Sequence, residues 1–346
     1  MINSSQPNQS KPPRRAGAGA SESHPKSSGG WLLLLVGIVG VVFLAVVAAI
    51  GFEVYRGYLQ GAVTPVAQDA PITAPAASAV PVADTSVVKL GILPRFSAAE
   101  TAKMYQPLVA RLSQALGKSV ELDVPIDFPS FWRKVQAGEY VLVHYNQYHY
   151  LKSRKDSGYE PLICNEEFGR RTMAGAIFVR KDSEINSISD LKGRKIIFGG
   201  DKTAMAAYIA PVAILKEHGL LPGSGYEEAF AKNPPAAVIN VGKRIFDAAG
   251  AGDVVIGVKA VAAEINVSEI KILAKSDEFV QLVWAAHPRL ALSERKLVQR
   301  VMAGLKDTEE GKEILKAAKV SDFYPVNDVD FNKARQMVEF ATGEVL

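Results

Sequence analysis

The run at residues 31–52, WLLLLVGIVGVVFLAVVAAIGF, carries no charge and constrains everything else the chain can do. As a helix it would be roughly 33 Å long at about 1.5 Å per residue, against a bilayer core of about 30 Å. The sequence therefore predicts one transmembrane helix. The run exceeds the roughly 7 to 15 apolar residues of a cleaved signal peptide, and it lacks the polar stripe of a helix packed on a soluble core. The lone cysteine, Cys164, lies far downstream and offers no acylation point beside the run. Lys11, Arg14, Arg15 and Lys26 precede it, and Arg56 is the one basic residue soon after it. Excess positive charge stays in the cytoplasm. The expected topology is a single-pass protein of the inner membrane, with a cytoplasmic N-terminus and a periplasmic or otherwise extracytoplasmic C-terminal domain.

The flanks follow from composition. Residues 1–30 are rich in Ser, Asn, Gln, Pro and Gly, too polar to bury a core, and read as a disordered cytoplasmic tail. Residues 53–86 are dense in Ala, Pro and Val and read as a linker, with an r.m.s. span of roughly 30 Å that the prolines would extend. The remainder, 87–346, is long enough for one two-lobed domain or two small ones. Its charges nearly balance: the whole chain has 40 basic and 36 acidic residues. With no basic stripe interleaved with aromatics, nucleic acid is not an expected partner. One cysteine excludes an internal disulfide and a Cys-rich zinc site, and in its apolar PLIC setting Cys164 reads as a small buried residue.

From residue 87 the pattern alternates between strands and helices. VVKLGIL reads as a buried strand, and Ser97 with Glu100 makes a capping pair for a helix that stops at Gly117. A strand at 120–124, a short helix at 129–137 and a strand at 140–143 follow. The same grammar recurs with strands at 174–179 and 195–198 and a helix at 204–218. Further strands are expected at 238–241, 254–258, 271–274 and 281–285, with a helix around 244–249 and a mostly helical tail. Such alternation implies parallel sheets covered by helices, the α/β class. Two sheets joined by two passages is the economical topology.

Six phrases in order, KLGILPRFSA, YQPLVARLSQALG, YLKSRKDSGYEPL, AGAIFVRKDS, INSISDLKGRKIIFGG and GAGDVVIGV, resemble the phosphate/phosphite/phosphonate-type substrate-binding proteins of ABC transporters. The resemblance runs from about residue 88 to about 320. It implies a two-lobed type II periplasmic-binding-protein (Venus flytrap) fold that clamps a ligand between lobes and performs no chemistry. On that reading lobe 1 is about 87–175 with 275–346, and lobe 2 is about 176–274. The family holds its oxyanion with a Ser-Thr-Ser-Gly run at a helix start. Counted back from Pro211, those places fall on Ala204, Met205, Ala206 and Ala207, without a hydroxyl among them. A family histidine falls on Asn240 and a hinge tyrosine on Met173, while Tyr150 keeps its family identity.

The candidate ligand-binding residues are Arg95, Tyr145, Asn146, Tyr148, Tyr150, Lys202, Thr203 and Asn240. Arg95 follows the first strand. The HYNQYHY run, residues 144–150, should sit at a strand-to-helix turn facing the cleft, where aromatic faces and amide or hydroxyl donors meet an organic ligand. Lys202 and Thr203 precede the helix start; each also has a plainer reading, as a solvated lysine and as a helix N-cap. Arg170 and Arg171 read as a hinge pair. His144 and His149 are five apart, with no third residue at ligand spacing, so no metal or other cofactor is expected. No G-x-S-x-G, H-E-x-x-H or P-loop motif occurs, so no catalytic residue is expected. The expected function is a membrane-tethered solute-binding protein that passes a small ligand, an anion among the candidates, to an inner-membrane permease. The alternative is a ligand-sensing or envelope-assembly module with a decayed site, acting on another envelope protein.

Overall fold

The computed structural model describes residues 87–346. The expected tail, membrane span and linker all lie outside the described residues. Among the described residues no helix is long and apolar enough to cross a membrane. The described residues form one compact unit.

The first half builds a βαβα ladder. Strand β1 (Val87–Ile92) leads to helix α1 (Ala98–Leu116), where Ser97 Oγ accepts from the Glu100 amide at 3.2 Å and Gly117 ends the helix at φ 63°. Strand β2 (Ser119–Asp123) precedes α2 (Phe128–Gln136), capped by Asp127 accepting from the Ser130 amide at 2.7 Å. Strand β3 (Leu142–Tyr145) runs into α3 (Gln147–Ser157), whose N-cap Asn146 accepts from the His149 amide at 3.0 Å. Strand β4 (Glu160–Glu166) follows, then the two-residue β5 (Thr172–Met173). Each cap supplies an acceptor for an amide that the helix start leaves without an intrahelical partner.

The chain then builds a second layer system. Its strands are β6 (Gly175–Arg180), β7 (Lys195–Phe198), β8 (Glu227–Phe230), β9 (Ala248–Gly252) and β10 (Ile270–Lys275). A π-turn at Met205–Ile209 continues directly into α4 (Ala210–Glu217), and α5 (Pro234–Gly242) and the short α6 (Lys259–Ala262) complete the cover. The chain returns through β11 (Phe279–Val280) to β12 (Val283–Ala286), α7 (Leu292–Ala303), α8 (Glu309–Ala318), β13 (Asp322–Pro325) and α9 (Asn332–Thr342).

Two open sheets result. One has the order β13-β4-β12-β3-β1-β2 and the other β10-β6-β9-β7-β8, while β5 and β11 pair as a separate ribbon. In the first sheet β1, β2 and β3 are parallel, and β4 shares their direction because both β3 and β4 are antiparallel to β12. In the second, β7 is parallel to β8 and β9. This is the two-lobed α/β fold. The carboxyl ends of parallel strands, where open sheets receive ligands, carry Arg95, Asn146 and Glu167 in lobe 1. In lobe 2 they carry the 199–204 loop and Asp253.

Three sequence expectations are corrected here. Residues 238–241 lie inside α5, 244–249 form a turn that enters β9, and 254–258 hold a 3₁₀ turn. The helix signal was present: Asn233 caps it, accepting from the Ala236 amide at 3.0 Å, and Pro234 and Pro235 open it. Strand β9, AAGAG, has no β-branched or aromatic residue and so no strand signature. Its small size is demanded from above. A side chain at Gly250 would begin 3.0 Å from the Ala207 carbonyl and 2.5 Å from the Phe198 ring.

Candidate functional site

The lobes meet around the start of α3 and the start of the π-turn. Asn146, 7% exposed, caps α3 with its carbonyl and donates its amide nitrogen across to the Thr203 carbonyl at 3.0 Å. One side chain thus ties the lobe 1 edge to the 199–204 loop of lobe 2. Next to it Gln147 donates to the Val280 carbonyl in β11 at 2.6 Å and to Met173 Sδ at 3.7 Å. Gln147 was not among the sequence candidates, although it lies inside the HYNQYHY run; its role depends on β11, a partner 133 residues away.

The helix start opposite is apolar. Ala204 is the N-cap and has no side-chain cap bond. Thr203, expected there as cap or ligand donor, is one residue short of the cap, and its hydroxyl donates to Asp201 Oδ1 at 2.6 Å. The amides of Met205, Ala206 and Ala207 open the π-turn, where a helix has donors without intrahelical partners. The turn sits against small residues: a side chain on Gly175 would begin 2.4 Å from Ala210 Cβ and 3.0 Å from the Ala206 carbonyl. A side chain on Gly252 would begin 3.6 Å from the Met173 methyl and 3.7 Å from Ala206 Cβ.

Charges at the rim are neutralised in pairs. Arg95 grips Glu167 with two nitrogens, at 3.0 and 3.4 Å. Asn165 donates to the same carboxylate at 2.9 Å and accepts from Trp284 Nε1 at 2.9 Å. Burial works against the Glu167 charge, but Arg95 and these hydrogen bonds hold its carboxyl below the ordinary value. In lobe 2 the buried Asp253 takes Arg170 and Lys275, each at 2.8 Å, and its carboxyl is likewise held low against burial. Arg170 also reaches Glu278, whereas Arg171 pairs with Glu166.

His144 and His149 are buried and neutral. Burial pushes His144 down to about 3, helped by Arg95, and His149 down to about 4. Among the described residues the buried side-chain polar atoms without a partner are Thr101 Oγ1, His144 Nδ1, Gln147 Oε1, His149 Nδ1 and Tyr226 OH. Three of these five fall within residues 144–149. Of the three, the imidazoles are enclosed by aromatic rings, His144 by Tyr105 and Trp284 and His149 by Phe131 and Trp132, whereas Gln147 also reaches across to β11.

The remaining candidates separate. Tyr148, Lys202 and Thr203 line one cavity of about 350 Å³ at the cleft rim, with Tyr208, Lys216 and Glu344. Tyr145 and Tyr150 are fully buried; their hydroxyls bond to Ser153 at 2.7 Å and to Asp328 at 2.6 Å. They face the core of lobe 1. Asn240 lies on α5 and returns its amide to the Ala236 carbonyl at 2.8 Å. Arg95 is at the rim but engaged by Glu167.

Comparisons with known proteins agree with this architecture. Solved structures similar to the chain include the binding-protein component of an ABC phosphonate transporter from Pseudomonas aeruginosa, with TM-score 0.63, 16% identity, and coverage of 75% of this chain and 87% of that one. PhnD1 of Prochlorococcus marinus, in complex with methylphosphonate, gives TM-score 0.62 at 17% identity, covering 73% and 97%. XAC2383 of Xanthomonas citri, bound to ATP, gives TM-score 0.65 at 15% identity, covering 75% and 98%. Likenesses at this identity show a shared fold. The family model described as "ABC transporter, phosphonate, periplasmic substrate-binding protein" matches residues 90–331, and the chain belongs to that family.

Proposed function

We propose that the chain is a membrane-tethered substrate-binding protein whose cleft takes a small, singly charged oxyanion, such as a carboxylate, in preference to a phosphonate dianion. The observation that carries this is the helix start at 204–207, which offers backbone amides, no hydroxyl, and an apolar wall made by Met173 and Ala206. A dianion needs several charge-assisted hydrogen bonds, each worth roughly 1.5–3 kcal/mol. Amides at a helix start and its partial positive charge suit a smaller charge. Gln147 Oε1, buried and without a partner, adds an acceptor for a ligand N–H or O–H. Family membership supplies the partner class, an ABC-transporter permease; the 31–52 run supplies the tether.

Calorimetry of the full chain against methylphosphonate and a panel of small carboxylates tests the ligand reading. At least one carboxylate should bind tighter than methylphosphonate; methylphosphonate binding above every carboxylate would overturn it. The tether is tested by alkaline carbonate extraction of membranes and N-terminal sequencing. A processed, extractable protein would remove it.

One observation favours the envelope-module alternative. A single apolar cluster runs from Tyr145 and Tyr150 in lobe 1 to Ile177, Phe198 and Ile209 in lobe 2, which suits a rigid body as well as a clamp. Thermal shift separates the two, because a ligand raises the melting point by mass action. No shift with any compound, together with reproducible co-purification of a membrane protein, would favour the module.

A further inference from the structure

The C-terminal segment belongs to both lobes. Helix α9 buries Ala334 and Val338 in the apolar cluster that the lobes share. On the lobe 2 side Lys216 of α4 donates to the Phe340 carbonyl at 2.7 Å, and its ammonium lies 5.4 Å from the centre of the Phe340 ring. Gly343 then turns the chain at φ 77°, and the last three residues lie along α3 of lobe 1. Tyr148 donates to Glu344 at 2.9 Å, Lys152 pairs with the same carboxylate, and Lys155 donates to the Val345 carbonyl at 2.7 Å. Residues 148, 152 and 155 are spaced so as to form one stripe along the helix. The tail is therefore read by a continuous face of α3.

We propose that residues 332–346 act as a strap that holds the cleft closed, with the Glu344 tail bound in cis on α3 as a displaceable peptide. An opening that parts α3 from α4 requires that either the Tyr148 and Lys152 anchors on Glu344 or the Lys216 anchor on Phe340 release. The tail is the weaker end. Val345 is 63% exposed, and a cavity of about 610 Å³ lined by Leu151, Arg154, Lys155, Asp328, Arg335 and Leu346 lies beside it. Leu346 is one of the residues on its wall. The lobe 2 end, by contrast, is a packed helix. Release of the tail leaves Ala334 and Val338 in the shared cluster and Arg335 on Asp328, so the tail sets how firmly α9 is latched to α3. This goes beyond the binding function and does not depend on the ligand's identity.

The test places spin labels on Ile126→Cys and Lys232→Cys, exposed positions on the two rims, in the full chain; Cys164 is fully buried and out of the label's reach. The intact chain should give one short distance, and a chain ending at Gly343 a longer and broader distribution. Glu344→Ala and Lys152→Met should each shift part of the population the same way. An intact chain already at the long distance overturns the strap, as does a truncated chain with native near-ultraviolet dichroism and an unchanged distance. Should truncation abolish the dichroism, the two point variants decide: distances unchanged in both overturn the proposal.

Discussion

Tyr150 marks the boundary of what single residues can reveal. Its family identity survives and its neighbours are polar, yet the ring is fully buried against Phe331, with centroids 4.3 Å apart, and its hydroxyl is held by Asp328. Both partners lie nearly 180 residues downstream, beyond any local pattern. Tyr150→Ala should therefore cost about 3–5 kcal/mol of stability, as for a large aromatic lost from a core; urea midpoints measure it. The helix start behaves in the opposite way. Ala204 and Met205 lack hydroxyls on the face of the sequence, and the structure keeps them at the N-terminus of a helix. Ala204→Ser with Met205→Thr should raise methylphosphonate affinity by about 10- to 100-fold for each bond regained, read by calorimetry. The buried imidazoles give a pH signature. In the folded chain His144 and His149 stay neutral down to about 3 and 4, while unfolded histidines take up protons below about 6.5. Stability is complete above pH 6.5 and falls as pH drops toward those values, by up to about 1.4 kcal/mol per pH unit for each group. Urea midpoints at pH 7 and pH 5 should differ, and His149→Gln should shrink the difference.

Elements were legible where local chemistry decides them. The Ser97 cap and the Gly117 stop bracket α1, and KIIF is β7 at its expected limits. Elements shaped by a distant neighbour were not. β9 is a strand because the π-turn lies on it, and β5 and β11 are strands because they pair with each other over about a hundred residues. The same closeness can be tested. Gly175→Ala would place a methyl 2.4 Å from Ala210 Cβ and 2.8 Å from Pro211 Cδ. Overpacking of this kind costs about 1–3 kcal/mol, and because the strain falls on the π-turn, the variant should lose stability and ligand affinity together. A loss of stability with unchanged affinity would separate the turn from the site.

At the scale of the whole molecule, the two-lobed α/β architecture followed from the strand and helix alternation with the family phrases, whereas the strap did not, because its anchors pair residues 124 to 196 positions apart. The junction of the lobes has a further property. Lobe 2 starts and finishes at one point: the Ser276 amide donates to the Gly175 carbonyl at 2.9 Å, and the Gly175 amide to Ser276 Oγ at 3.0 Å. The strands on either side of it, β1 to β4 before and β12 and β13 after, all belong to the other sheet. Lobe 2 is thus a cassette spliced into lobe 1 through a single doorway. A chain in which that cassette is exchanged for a relative's would keep the first sheet and the groove on α3 and receive a different 199–204 loop. Exchange at that one narrow seam replaces the lobe 2 half of the cleft and leaves Asn146 and Gln147 in place on lobe 1.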